Sequence, residues 1–246
     1  MIINRTKLFN EFFDVTSGWR QIDFLVLHHV QANSANHAIE QFKHHQVSSH
    51  FLVDEKGEIF ELVDENNIAY HAGVSFWNGV DGLNKTSIGV EFINSSPFEK
   101  KFSEAQLIAG VELTKYLAAK YHIKAQNIVG HSDIAYNRDN QLLDRKQDPS
   151  HLFDWKFMAQ NGVGIFPQIS LVMEENIFEL GSKNVQIAEI KRDLKRFGYR
   201  VINLNDEFDE EMRALVRVFN RRFLGKEWDI WCNSSQQILD QLIVKK

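Results

Sequence analysis

The chain is nearly free of cysteine. Its 246 residues include one, Cys232, so no disulfide can form within it and no thiolate zinc cluster can be built. Long apolar runs are missing too, and no stretch approaches the ~20 residues needed to cross a bilayer. The first residues, "MIINRTKLFNEFFDVTSGW", hold no apolar signal core, no lipidation cysteine and no small-residue cleavage site. The expected compartment is the cytoplasm; the alternative is the envelope, reached by a leader already removed or by an unconventional route. Positive charge is not in excess, since the formal net charge is −5, so the overall balance gives no reason to expect nucleic acid as a partner. There is no HExxH helix, which excludes the common zinc-protease arrangement. Internal repeats and low-complexity segments are absent as well.

What is present reads as a folded protein: 43% hydrophobic and 25% charged residues suit a globular chain and exclude disorder. Up to about Pro167, short apolar runs mix with helical patterns. "IDFLVLHH" reads as a buried strand ending in two imidazoles. "HFLVDEKGEIFELVD" reads as a hairpin turning at Asp54-Glu55-Lys56-Gly57. In "TSIGVEFIN", Ile88, Val90 and Phe92 share one face of a strand and Glu91 faces the other way. Ser103 and Gln106 make a capping box before a helix that runs to Lys120. "NIVGH" is a further strand, and "LFDWKFMAQNGVG" a helix ended by glycine. Strands and helices mixed without strict alternation predict an α/β fold, a mixed β-sheet flanked by helices.

After an irregular connection over 169–182 come three helical patterns, in "NVQIAEIKRDLKRFGY", "DEEMRALVRVFNRRF" and "SSQQILDQLIVKK". We therefore expect a domain over 1–168, a linker over 169–182 and a small three-helix module over 183–246. The tail carries 13 Lys and Arg against 10 Asp and Glu, and the body 15 against 23, so the tail is mildly basic and the body acidic. Leu194, Phe197, Leu215, Val218 and Phe219 form an apolar stripe that reads as the tail's own core.

Ten histidines raise the question of a metal. Two imidazoles, one carboxylate and an open position make a sound catalytic zinc site. His28 ends one strand, His131 ends another, and Asp148 follows before Pro149. By spacing alone such a triplet is common in a histidine-rich chain, and each member has a plainer reading as a strand-end or turn residue. The pieces "LVLHH", "QVSSHFLVDEKGEIFELV", "AYHAGVSFWNG", "LNKTSIGVEFIN", "NIVGHSDIA" and "RKQDPSHLFDW" decide between the readings. In this order, from about Phe24 to Phe166, they resemble the zinc-dependent N-acetylmuramoyl-L-alanine amidases of the amidase-2 group, which share the peptidoglycan-recognition-protein fold.

The resemblance implies Zn2+ held by His28, His131 and Asp148, with Glu91 as the catalytic acidic residue and Lys146 as the catalytic lysine. His29 stands where relatives have tyrosine and is not read as a ligand. Ser49, His50, His71, Ala72, Trp77 and Asn84 belong to the family's motif blocks and are expected to bind substrate. The implied reaction cleaves the amide between the lactyl group of N-acetylmuramic acid and L-alanine of the stem peptide. The implied partners are muropeptides, 1,6-anhydro forms among them, or intact cell wall. The rival reading is a non-catalytic peptidoglycan-recognition module. The chain departs from the family in "SDIAYNRDNQLLDR", a longer segment between His131 and Lys146. It departs again in the tail, which resembles a peptidoglycan-binding domain but lacks its usual Asp-Gly and Phe-Gly pieces.

Overall fold

The computed structural model describes residues 2–4, 11–169 and 174–244. Part of the N-terminal stretch read for a leader, four residues of the expected 169–182 linker and the last two residues of the third tail pattern lie outside the described residues. The six strands of the main sheet are β1 (Ile3–Asn4), β2 (Phe24–Val30), β3 (Phe51–Val53), β4 (Ile59–Glu61), β5 (Ser87–Ile93) and β6 (Ile128–Gly130). Their order across the sheet is β1-β4-β3-β5-β2-β6. Neighbours run parallel except β3 and β4, which form the expected hairpin. Gly57 takes φ +83° at its turn, a conformation that suits glycine. The sheet is mixed and flanked by helices, as the sequence predicts.

Both faces of the sheet are covered, so every residue of β5 is buried. On one face, Ala38, Ile39 and Phe42 of helix α1 (Ala35–His45) cluster with Leu52 and Ile93. On the other lies helix α2 (Glu104–Lys120). Gly110 of α2 lets it approach closely, because a Cβ there would stand 2.5 Å from the Phe92 ring. The capping box forms by half. Ser103 Oγ accepts from the Gln106 amide at 3.1 Å, but the Gln106 side chain donates to the carbonyls of Val53 and Ile93 instead of reaching back. The side chain serves the carbonyls at two strand ends and not the helix end. Helix α3 (Trp155–Gln160) starts at Asp154, whose carboxylate accepts from Phe157 N.

The chain divides into two compact units, and the division is not a single cut. The first is Met1–Gly73, Gly82–His131 and Asp148–Ile165; the second is Val74–Asp81, Ser132–Gln147 and Phe166–Lys246. The second unit holds helices α4 (Val185–Phe197), α5 (Glu210–Phe223) and α6 (Asn233–Val244). Leu194, Phe197, Leu215, Val218 and Phe219 are all buried in it. The stretch read as irregular contains a strand, Asn176–Phe178, paired antiparallel with Trp231–Cys232. Among the described residues, no helix is long and apolar enough to cross a membrane.

Candidate active site

Parallel strands deliver the site. Register pairs His28 at the end of β2 with Glu91 on β5, and Leu27 with Gly130 on β6. His131 follows Gly130, so both imidazoles leave the sheet at the carboxyl ends of neighbouring strands, where open α/β sheets place their ligands. Asp148 closes the group. His28 Nδ1, His131 Nδ1 and Asp148 Oδ2 stand at the corners of a triangle with sides of 3.0, 3.0 and 3.1 Å. His28 is 1% exposed and His131 5%.

The protonation pattern of the surroundings tests whether this triangle suits a cation. His131 Nε2 lies 3.1 Å from the carbonyl of Ala72. A carbonyl only accepts, so Nε2 carries the hydrogen and a neutral His131 turns a bare Nδ1 to the triangle. His28 is fixed through a longer chain. The Ser87 hydroxyl donates to the carbonyl of Leu83 at 2.7 Å. Its oxygen is then free to accept from His71 Nε2–H at 3.1 Å. His71 is neutral, because burial foremost, and after it any positive charge on the neighbouring imidazoles, holds its pKa well below the ordinary imidazole value. Its Nδ1 therefore accepts from His28 Nε2–H at 3.0 Å, and a neutral His28 presents its own bare Nδ1 to the triangle. Asp148 supplies the third corner as a carboxylate. Burial opposes its ionisation, but charge on His131 and hydrogen bonds from His131 and His28 outweigh it and hold the pKa well below the usual range, and a bound cation would take the place of those Nδ1 protons. Two lone pairs and one anion, converging at about 3 Å, are the donor set of a divalent metal.

Glu91 borders the triangle, its Oε1 4.0 Å from His28 Nδ1. Lys146 is exposed and belongs to the segment Ser132–Gln147, two residues ahead of Asp148 in the chain.

The residues expected to bind substrate are mostly interior. Ser49, His50, Ala72 and Trp77 are fully buried. Asn84 Oδ1 accepts from the amides of His71 and Ala72 at 3.2 and 2.7 Å, and so holds the stretch that supplies both the His71 ring and the Ala72 carbonyl. His50 Nδ1 accepts from the Gly89 amide at 3.0 Å, and its Nε2 lies 3.1 Å from the Asn67 carbonyl. Burial, then the neighbouring Arg20 guanidinium, lower its pKa to about 3. Trp77, in the second unit, packs edge-on against Tyr199 and Phe197, with ring centroids 4.8 and 5.8 Å away.

Three residues escaped sequence reasoning. Ser87 orients His71. Gly89 makes room for it, since a Cβ there would lie 2.6 Å from the His71 ring; a glycine inside a strand pattern was the available signal. Arg20 donates to the carbonyls of Glu65, Asn84, Lys85 and Ser87, and no local pattern marks it.

A mostly parallel sheet whose strand ends carry a His-His-Asp triangle that could hold a metal, with a glutamate beside it, has the makings of a hydrolase site. Comparison with known proteins gives the particular family. Residues 18–151 match the family model Amidase_2, N-acetylmuramoyl-L-alanine amidase. The N-acetylmuramoyl-L-alanine amidase AmiD of Escherichia coli K12 is 32% identical over 94% of this chain and 85% of its own. The structure of E. coli AmiD in complex with anhydro-N-acetylmuramic acid-L-Ala-D-γ-Glu-L-Lys superposes with a TM-score of 0.75 at 30% identity, covering 94% of this chain and 92% of that one. AmpDh3 from Pseudomonas aeruginosa, at 23% identity, shares the fold over the whole of this chain with a TM-score of 0.73. The chain belongs to the amidase-2 family of N-acetylmuramoyl-L-alanine amidases.

Proposed function

We propose that this protein hydrolyses the amide bond between the lactyl carboxyl of N-acetylmuramic acid and the amino group of L-alanine, with anhydro-muropeptides as substrates and zinc as its metal. The observation that carries the reading is the His28–His131–Asp148 triangle bordered by Glu91, in a chain of this family. The complex of E. coli AmiD with an anhydromuramyl tripeptide supports the substrate class.

His28 and His131 would hold the zinc through Nδ1, and Asp148 through Oδ2. When bound, zinc supplies Lewis acidity, which brings the pKa of water to about 7 and polarises a carbonyl. Glu91 accepts the proton of the attacking water and delivers it to the departing alanine nitrogen. Lys146 donates a hydrogen bond to the oxygen that gains charge as the carbonyl carbon becomes tetrahedral. Ser87 and His71 keep the His28 proton on Nε2, and Ala72 does the same for His131. Ser49 and His50 support this frame rather than touch substrate, because both are buried with their polar atoms engaged within the protein, and Asn84 supports it through Oδ1.

The test is product identity. The metal-loaded protein is incubated with anhydro-N-acetylmuramyl-L-Ala-D-γ-Glu-L-Lys in ¹⁸O-water and the products are weighed. Free tripeptide and anhydromuramic acid labelled in the lactyl carboxylate are expected. Intact substrate after incubation with zinc would overturn the reading in favour of a recognition module.

A further inference from the structure

The segment Ser132–Gln147 starts one residue after His131 and ends one residue before Asp148, yet it belongs to the compact unit of the tail helices. The contacts within that unit explain why. Asp133 is completely buried; one of its oxygens is paired with Arg222 and the other accepts from the Tyr199 hydroxyl at 3.0 Å. Asp144 accepts from Arg217 Nη1 at 3.0 Å and from Arg221 Nη2 at 2.7 Å. Arg200 donates to the Gln141 carbonyl at 2.8 Å and lies 4.2 Å over the Tyr136 ring. So both ends of the segment and its middle are gripped by arginines of the tail. Each aspartate lies close in sequence to a site residue, Asp133 to His131 and Asp144 to Lys146.

Buried ion pairs are a poor means of adding stability, since apolar residues of the same volume do as well or better. What they do supply is directionality: a guanidinium accepts one geometry of carboxylate, whereas an apolar contact accepts many. Gln141 and Asp144 also take positive φ values of 66° and 71°, which a free segment of these residues would not adopt by preference. We propose that the tail is a clamp for the segment between the two metal ligands, and that Arg200, Arg217, Arg221 and Arg222 are positioning residues that fix the backbone from which Lys146 works. This rests on the role given to Lys146 above. It assigns the tail a part in turnover, in place of the wall binding that its likeness to a peptidoglycan-binding domain suggests.

The test uses the full-length, zinc-loaded protein and the variants Asp144→Asn, Arg221→Met and Lys146→Ala, with Asp144→Asn also placed in the Lys146→Ala background. Asp144→Asn keeps the shape and removes the charge, so it stands in if Arg221→Met fails to fold. The clamp predicts at least tenfold faster amide hydrogen exchange in 132–147, with exchange in 24–30 and 87–93 unchanged. It also predicts a kcat reduced ten- to a hundredfold, KM and zinc affinity within twofold of the parent, and no further loss when Asp144→Asn is added to Lys146→Ala. Unchanged exchange in 132–147, or a kcat loss that multiplies with that of Lys146→Ala, overturns the clamp. Wild-type turnover by Lys146→Ala would instead remove the role of Lys146. The clamp would then be judged on Asp144→Asn alone, where slowed turnover with faster exchange keeps it and parental turnover rejects it.

Discussion

The two compact units bury polar side chains in opposite ways. The first buries imidazoles and joins them in a one-way chain of hydrogen bonds from His28 through His71 and Ser87 to the Leu83 carbonyl. The second buries charges, pairing Asp133 with Arg222 and Asp144 with Arg221. Imidazoles with the hydrogen on Nε2 suit a place that must present lone pairs to a cation, because a proton on either Nδ1 would compete with it. Charged pairs suit a place where a segment must be held in one shape. The difference separates a unit arranged around a ligand from one arranged around its own backbone.

The largest effect should come from Glu91, an acidic side chain that borders the triangle without belonging to it. Glu91→Gln is expected to lower turnover by about 10²–10⁴-fold, the usual contribution of general acid–base catalysis, with zinc content and melting temperature near those of the parent. Measured kcat and metal analysis check this together. A variant that lost zinc as well would place Glu91 among the ligands.

Breaking the second unit's charged pairs comes next. Arg222→Met leaves Asp133 buried without its cation and should destabilise the protein by about 3–5 kcal/mol, read from denaturant unfolding. Adding Asp133→Leu should recover most of that loss, because removing both charges is far less costly than removing one. In the first unit the matching change behaves differently. Ser87→Ala removes the acceptor that sets the His71 proton, and zinc affinity should fall about 10–100-fold with little change in unfolding. A chelator competition titration would record it.

Acid provides a gentler comparison. His50 has a folded pKa of about 3, depressed from the ordinary imidazole value by burial. Between that value and the unfolded pKa near 6.5 the unfolded chain binds a proton that the native state refuses. Its contribution to stability is therefore present above pH 6.5 and is lost as pH falls, at up to about 1.4 kcal/mol per pH unit. From pH 7 to 5, exchange protection in 24–30 and 87–93 should weaken while that in α5 holds, since the second unit contains no histidine. Equal loss in both units would remove the contrast.

How much of this was legible in the sequence follows the same divide. The sheet, the hairpin at Gly57, helix α2 and the tail helices show in the periodicity, because each pattern is local. His28, His131, Asp148 and Glu91 could be named only through the family resemblance that the ordered motifs carry; strand alternation gave no more than the face on which Glu91 stands. The relay was out of reach, since Ser87, His71 and His28 come from three separated segments and only register brings them together. Arg221 and Arg222 drew no reading at all, because nothing nearby in the chain announces Asp133 or Asp144 as partners. Gln106 read as half of a cap and turned out to serve two strand ends. Membership of Ser132–Gln147 in the tail's unit depends on pairs up to 89 residues apart, which no window along the sequence contains.

The most direct measurement is a zinc titration of the metal-free protein, with turnover of anhydromuramyl tripeptide followed at each addition. The account predicts that activity rises linearly and stops at one zinc per chain, and that His131→Ala binds no tight equivalent and shows no turnover. Full turnover in excess chelator, or undiminished zinc binding by His131→Ala, would contradict it.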